Sequence, residues 1–146
     1  MWLAVKSLCS AQVVSALFLD MEKIIIKTNN APAPIGPYSQ AVQVGNLLFV
    51  SGQVAIDPVN GDIITTDINS ETSLVLENVK AILTEAGYSF SDIVKTTIFL
   101  SDMGLFPAVN EIYGKYFTGD FPARETVAVK TLPKNVNIEI SVIAAK

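Results

Sequence analysis

The apolar positions of this chain switch twice from short, β-branched runs to a helical stripe and back. Ile24-Ile25-Ile26 reads as a strand. Ala41-Val42-Gln43-Val44 and the run from Leu47 to Val54 flank the turn pair Gly45-Asn46, which predicts a hairpin. Between strand and hairpin, Asn29, Asn30, Pro32, Pro34, Gly36 and Pro37 predict an extended loop. Asp57-Pro58 and Asn60-Gly61-Asp62 mark a second turn. Val75, Val79, Ile82, Leu83 and Ala86 then fall at i, i+4, i+7, i+8 and i+11, a single helical stripe that leaves Glu71, Glu77 and Lys80 outside it. Asp67 or Ser70 supplies the N-cap, and Gly87 the stop. Residues 93–100 read as a strand, 106–116 as a second helix with Val109, Ile112, Tyr113 and Tyr116 on one side. Residues 124–130 and 136–145 are two final strands around the turn Leu132-Pro133-Lys134-Asn135. The order β-β-β-α-β-α-β-β, with strands outnumbering helices, predicts an α+β fold: a mixed sheet with two helices on one face.

Composition narrows the chemistry. The 146 residues suit one domain and contain no histidine, which removes Ser-His and Cys-His pairs and histidine-based zinc sites. A single cysteine, Cys9, makes a disulfide framework impossible within one chain. Acid–base work therefore falls to carboxylates, tyrosine, lysine or bound water. The net charge of −4 weighs against a surface that tracks a phosphate backbone. Half the residues are hydrophobic, and a domain this small buries a limited share of its surface, so oligomerisation is the expected outlet for the surplus.

Residues 1–20 hold Trp2, Cys9 and many apolar side chains, with Lys6 the one base, before Asp20 and Met21. They are expected to be an extension: an upstream start, a tag or a targeting segment. The stretch is too short and too polar for a membrane span, and residues 21–146 form the expected domain. The expected compartment is cytoplasmic, or mitochondrial if residues 1–20 are a presequence.

Phe121-Pro122-Ala123-Arg124 puts an arginine at the head of an apolar strand, where burial is costly unless an anion meets it. Its planar fork suits a carboxylate or phosphate, so Arg124 is the candidate receptor for a small anion. Strand alternation gives Arg124, Thr126, Ala128 and Lys130 one face and turns Glu125 to the other. Glu139 is a carboxylate between Ile138 and Ile140. A structural pairing of Glu139 with Arg124 or Lys130 across a hairpin stands beside a catalytic role. Tyr38 either covers the core under its Pro-rich loop or faces a ligand; Asn110 reads as exposed or functional. Ser51-Gly52-Gln53 marks a bulge or a close backbone approach to a ligand.

Taken together, these segments resemble the Rid (YjgF) family of reactive-intermediate deaminases, also called the L-PSP endoribonuclease family. The resemblance lies in residues 31–40 (APAPIGPYSQ), 51–53, 76–87 (LENVKAILTEAG), 92–100 (DIVKTTIFL), 109–117 (VNEIYGKYF), 121–124 (FPAR) and 132–140 (LPKNVNIEI), in that order. It implies a chorismate-mutase-like homotrimer with clefts between subunits, and hydrolysis of 2-imino acids or enamines to keto acids and ammonia. It also implies Arg124, Glu139, Tyr38 and Asn110 as catalytic residues, with Ser51, Gly52 and Thr126 joining Arg124 in substrate binding. No metal or cofactor is implied, because an iminium carbon is already electrophilic; no membrane partner is expected, and the acidic balance and absent histidine weigh against nucleic acid. Where many deaminase members carry Arg-Ser-Cys, this chain reads Arg124-Glu125-Thr126, which bears on substrate range. The alternatives are an endoribonuclease or translation inhibitor, and a binding module without turnover.

Overall fold

The computed structural model describes residues 22–146, so the expectation for residues 1–20 lies outside the described residues. Among the described residues the order is β1 (Lys23–Ile26), β2 (Ala41–Val44), β3 (Leu47–Gln53), α1 (Ile68–Glu85), β4 (Ile93–Leu100), α2 (Phe106–Gly114), β5 (Ala123–Ala128) and β6 (Ile138–Ala145). This is the expected succession. The strands form one sheet in the order β1-β2-β3-β6-β4-β5. Every pairing is antiparallel except β4 with β5, whose parallel course follows from the crossover through α2.

The caps decide where α1 runs. The Asp67 carboxylate accepts from the N–H groups of Asn69 and Ser70 at 3.0 and 2.9 Å, and Gly87 takes φ +76° just past the C-cap Ala86. Val75, Val79, Ile82 and Leu83 of α1 are buried against Leu48, Val50, Ile98, Ile138, Ile140 and Val142 of the sheet. Burying a side chain of this size contributes about 1.5–3 kcal/mol, so the stripe anchors the layer. α2 packs beside α1, and its Tyr113 hydroxyl donates to Thr96 Oγ1 of β4 at 3.0 Å. Both helices thus cover one face. On the other, Leu47, Phe49 and Val127 remain exposed, and Glu125 accepts from Lys95 and Thr97.

Three expectations need correction. The last two strands are not a hairpin: β4 lies between β5 and β6, because β5 enters the sheet parallel to β4. Glu139 therefore opposes Phe99 rather than Arg124 or Lys130. Glu71 is not outside the buried side of α1; it is 0 % exposed, four residues before Val75 and so on the same face. The second helix also ends sooner, at Gly114.

Candidate active site in two half-sites

The first half-site grows from the Pro-rich loop and the end of β3. Gln40 is buried and ties the loop together: its Oε1 accepts from Thr28 N at 2.8 Å, and its Nε2 donates to the carbonyls of Thr28, Ala31 and Pro32. Ser51 Oγ donates to Ser39 O at 2.7 Å, fixing the segment that carries Tyr38. Tyr38 is 48 % exposed, its hydroxyl accepting from Ile35 N at 3.4 Å, so it stands over the loop rather than sealing the core.

At Gly52 the β3–β6 register shifts between Val50 and Gln53, a bulge that coincides with a close approach. A Cβ on Gly52 would overlap Glu139 Oε1 and lie 2.7 Å from its Cδ. The Glu139 carboxyl therefore occupies the space that a side chain would fill. Among the described residues it enters no ion pair, and burial pushes it above the ordinary carboxylate range. Tyr38, Ser51, Gly52 and Glu139 line one cavity of about 360 Å³, joined by Lys134 from the turn before β6.

The second half-site lies beyond β4, on the helical face. Arg124 of β5 is in register with buried Thr96, and Thr126 with buried Ile98, so both side chains share the helical side. The Arg124 guanidinium lies 4.8 Å from the Tyr113 ring centroid and 5.6 Å from that of Phe106. Such stacking steadies the cation without neutralising it. Arg124 forms no salt bridge among the described residues. Burial raises the Tyr113 hydroxyl above its ordinary value, so the ring stays neutral beneath the cation. Arg124, Asn110 and Phe121 share a cavity of about 400 Å³. Thr126 lines neither cavity, but its hydroxyl is buried without a hydrogen-bond partner.

The structure thus groups Tyr38, Ser51, Gly52 and Glu139, and separately groups Arg124 with Asn110. The groups lie on opposite faces of one sheet, since Glu139 opposes outward-facing Phe99 while Arg124 matches inward-facing Thr96. Glu125 faces away from Arg124, as alternation required. The ring shelf under Arg124 was hidden in the sequence; Tyr113 was visible there only as part of a helical stripe. Lys134 carried no sequence signal beyond its place in a turn. Among the described residues no group of three or more His, Cys, Asp or Glu is placed to hold a metal ion, and no helix is long and apolar enough to cross a membrane.

The family described as endoribonuclease L-PSP matches residues 28–146. A RutC family protein of Pyrococcus horikoshii is 54% identical over 124 residues, which cover 85% of this chain and 98% of that protein. The mouse protein named 2-iminobutanoate/2-iminopropanoate deaminase is 46% identical over 122 residues, covering 84% of this chain and 90% of its own length. The crystal structure of E. coli TdcF with bound serine superposes with a TM-score of 0.81 at 43% identity, covering 84% of this chain and 98% of that one. With a matching family profile over most of its length, relatives of this similarity and the same mixed sheet with two helices, the chain belongs to the endoribonuclease L-PSP family, also called the Rid or YjgF family.

Proposed function

We propose that the protein hydrolyses 2-imino acids such as 2-iminobutanoate and 2-iminopropanoate, and their enamine forms, to 2-keto acids and ammonia, at sites shared between the subunits of a homotrimer. The observation that carries this is the separation of an ion-unpaired Arg124 from a partly buried Glu139 by the thickness of one sheet. The two groups line separate cavities on opposite faces of the sheet, so one small substrate does not meet both on a single chain. One copy therefore supplies Arg124 and Asn110, and its neighbour Glu139, Tyr38 and the Gly52 backbone. The exposed Leu47, Phe49 and Val127 give the sheet an apolar surface for that association.

In this arrangement Arg124 takes the substrate carboxylate with both prongs and fixes the imine carbon. Glu139 accepts a proton from a water, whose oxygen bonds to that carbon. The same proton then passes to the amino nitrogen; Glu139 next takes the proton of the new hydroxyl as the C–N bond breaks and the C=O forms, and ammonia leaves with the keto acid. A carboxyl with a raised pKa suits both halves of that exchange. The Thr126 hydroxyl is buried and lines neither cavity, so its part in substrate binding would be indirect, through the strand that carries Arg124. The mouse relative's name and the serine bound to TdcF favour a small amino-acid-like ligand.

The test couples the purified protein to a threonine dehydratase and follows ammonia and keto-acid release. Release faster than spontaneous hydrolysis is the expected result. Saturable binding without turnover, or cleavage of RNA alone, would replace this reading with a binding module or an endoribonuclease.

A further inference from the structure

We propose that Glu71, in the first turn of α1, is a positioning residue for the wall of the site that carries Glu139. The inference rests on the reading of Glu139 as the water-activating group. Glu71 is fully buried, although glutamate is among the residues least often found inside. Its two oxygens meet two donors of one distant residue: Asn137 N–H at 2.6 Å and Asn137 Nδ2 at 2.9 Å. Asn137 stands two residues before Glu139. It is gripped from the other side as well, its carbonyl accepting from Ser101 N and its Oδ1 from Ser101 Oγ, both at 3.0 Å.

The segment leading into this clamp is strained. Lys134 and Asn135 take φ of 60° and 56°, successive left-handed residues of which only asparagine adopts that region readily. Pro133 and Lys134 line the same cavity as Glu139. Such a conformation persists only where the surroundings over-determine it, and the Glu71–Asn137 pair is the buried tether within reach. Packing of α1 alone would be served as well by an apolar side chain at position 71, since a buried carboxylate is poor support for stability. Holding Asn137, and with it the start of β6, is what the carboxylate adds.

Glu71→Gln tests this. One oxygen still accepts from the Asn137 backbone, but the new amide sets donor against donor at Asn137 Nδ2. The double variant E71Q/N137D restores complementarity with the polarity reversed. Imine hydrolysis gives kcat and KM separately, and hydrogen–deuterium exchange reads residues 132–140. E71Q should lower kcat about tenfold or more, as small misplacements of catalytic groups do, with KM within about twofold because Arg124 stands on the other wall. Exchange over 132–140 should rise, and the double variant should restore both. Asn137→Ala, which alters no core side chain, should reproduce the kcat loss if E71Q does not fold. An unchanged kcat in E71Q or N137A overturns the proposal, as does a double variant that regains slow exchange but not turnover. If the wild-type protein hydrolyses no imine, the deaminase reading falls. Exchange then decides the clamp alone: restoration in the double variant supports it, and exchange unchanged by E71Q overturns it.

Discussion

Gly52 and Glu139 share one volume: the carboxyl group of Glu139 rests where the Cβ of any other residue at position 52 would be. Gly52→Ala should therefore push the carboxylate aside without any demand on backbone angles. Overpacking of this kind costs about 1–3 kcal/mol, so the variant should still fold. Its kcat for imine hydrolysis should fall by about tenfold to a hundredfold, because the displaced group no longer meets its water. Steady-state kinetics beside a thermal melt check this; full activity in a folded G52A would separate Glu139 from the chemistry.

Burial gives Glu139 a second signature, in pH. A carboxyl raised by desolvation must lose its proton before it can accept one from water. The acid limb of kcat/KM should therefore lie above the ordinary glutamate value of about 4.3, with activity rising as pH rises through it. The sign for stability is the reverse. Because the folded-state pKa exceeds the unfolded one, the native state binds the proton more tightly, and stability falls as pH rises between the two values. Glu139→Gln should then melt slightly higher than wild type at neutral pH, with the gain fading below about pH 4. Paired pH–rate and pH–melting curves of E139Q and wild type read both effects.

Arg124 lies on aromatic rings and in no salt bridge among the described residues, so its removal leaves no buried acid behind. Arg124→Ala should change stability by no more than about 0.5 kcal/mol, yet lower kcat/KM by about a hundredfold or more. Arg124→Lys keeps the charge but loses the fork and much of the stacking, and should fall between the two. An R124A protein that still hydrolyses imines at the wild-type rate would remove the anion-receptor role.

Shared sites make a prediction that no single-chain site makes. R124A and E139Q should each be inactive alone. After denaturation and refolding together, random trimers should regain about a quarter of the sites with both groups intact. Activity that stays at the level of the separate variants would confine each site to one chain.

Most of the architecture was legible because it rests on local signals. Asp67, Gly87, the Gly45-Asn46 turn and the 75–86 stripe each act within a few residues, and each fixed an element boundary. What escaped was non-local. Nothing near Ala123 announces that β5 will pair with β4 in parallel rather than fold back on β6, because that choice is made by the α2 crossover. Glu71 looks like a surface residue until its partner, 66 positions away, closes on it. The candidate residues were recognisable by type and order, but their division between two faces depends on which strand lies between them. Gln40 shows the same limit, since its four hydrogen bonds reach back across the loop it organises.

The shelf of Phe106 and Tyr113 under Arg124 also sets what competes for the pocket. An arriving acid breaks no salt bridge of Arg124 among the described residues, and burial keeps the Tyr113 hydroxyl protonated near neutrality. Rivalry comes from the medium instead. Formate, acetate and other small carboxylates in a buffer will occupy the fork in proportion to their concentration, so Michaelis constants measured in acetate should exceed those measured in an amine buffer, while turnover at saturation stays the same.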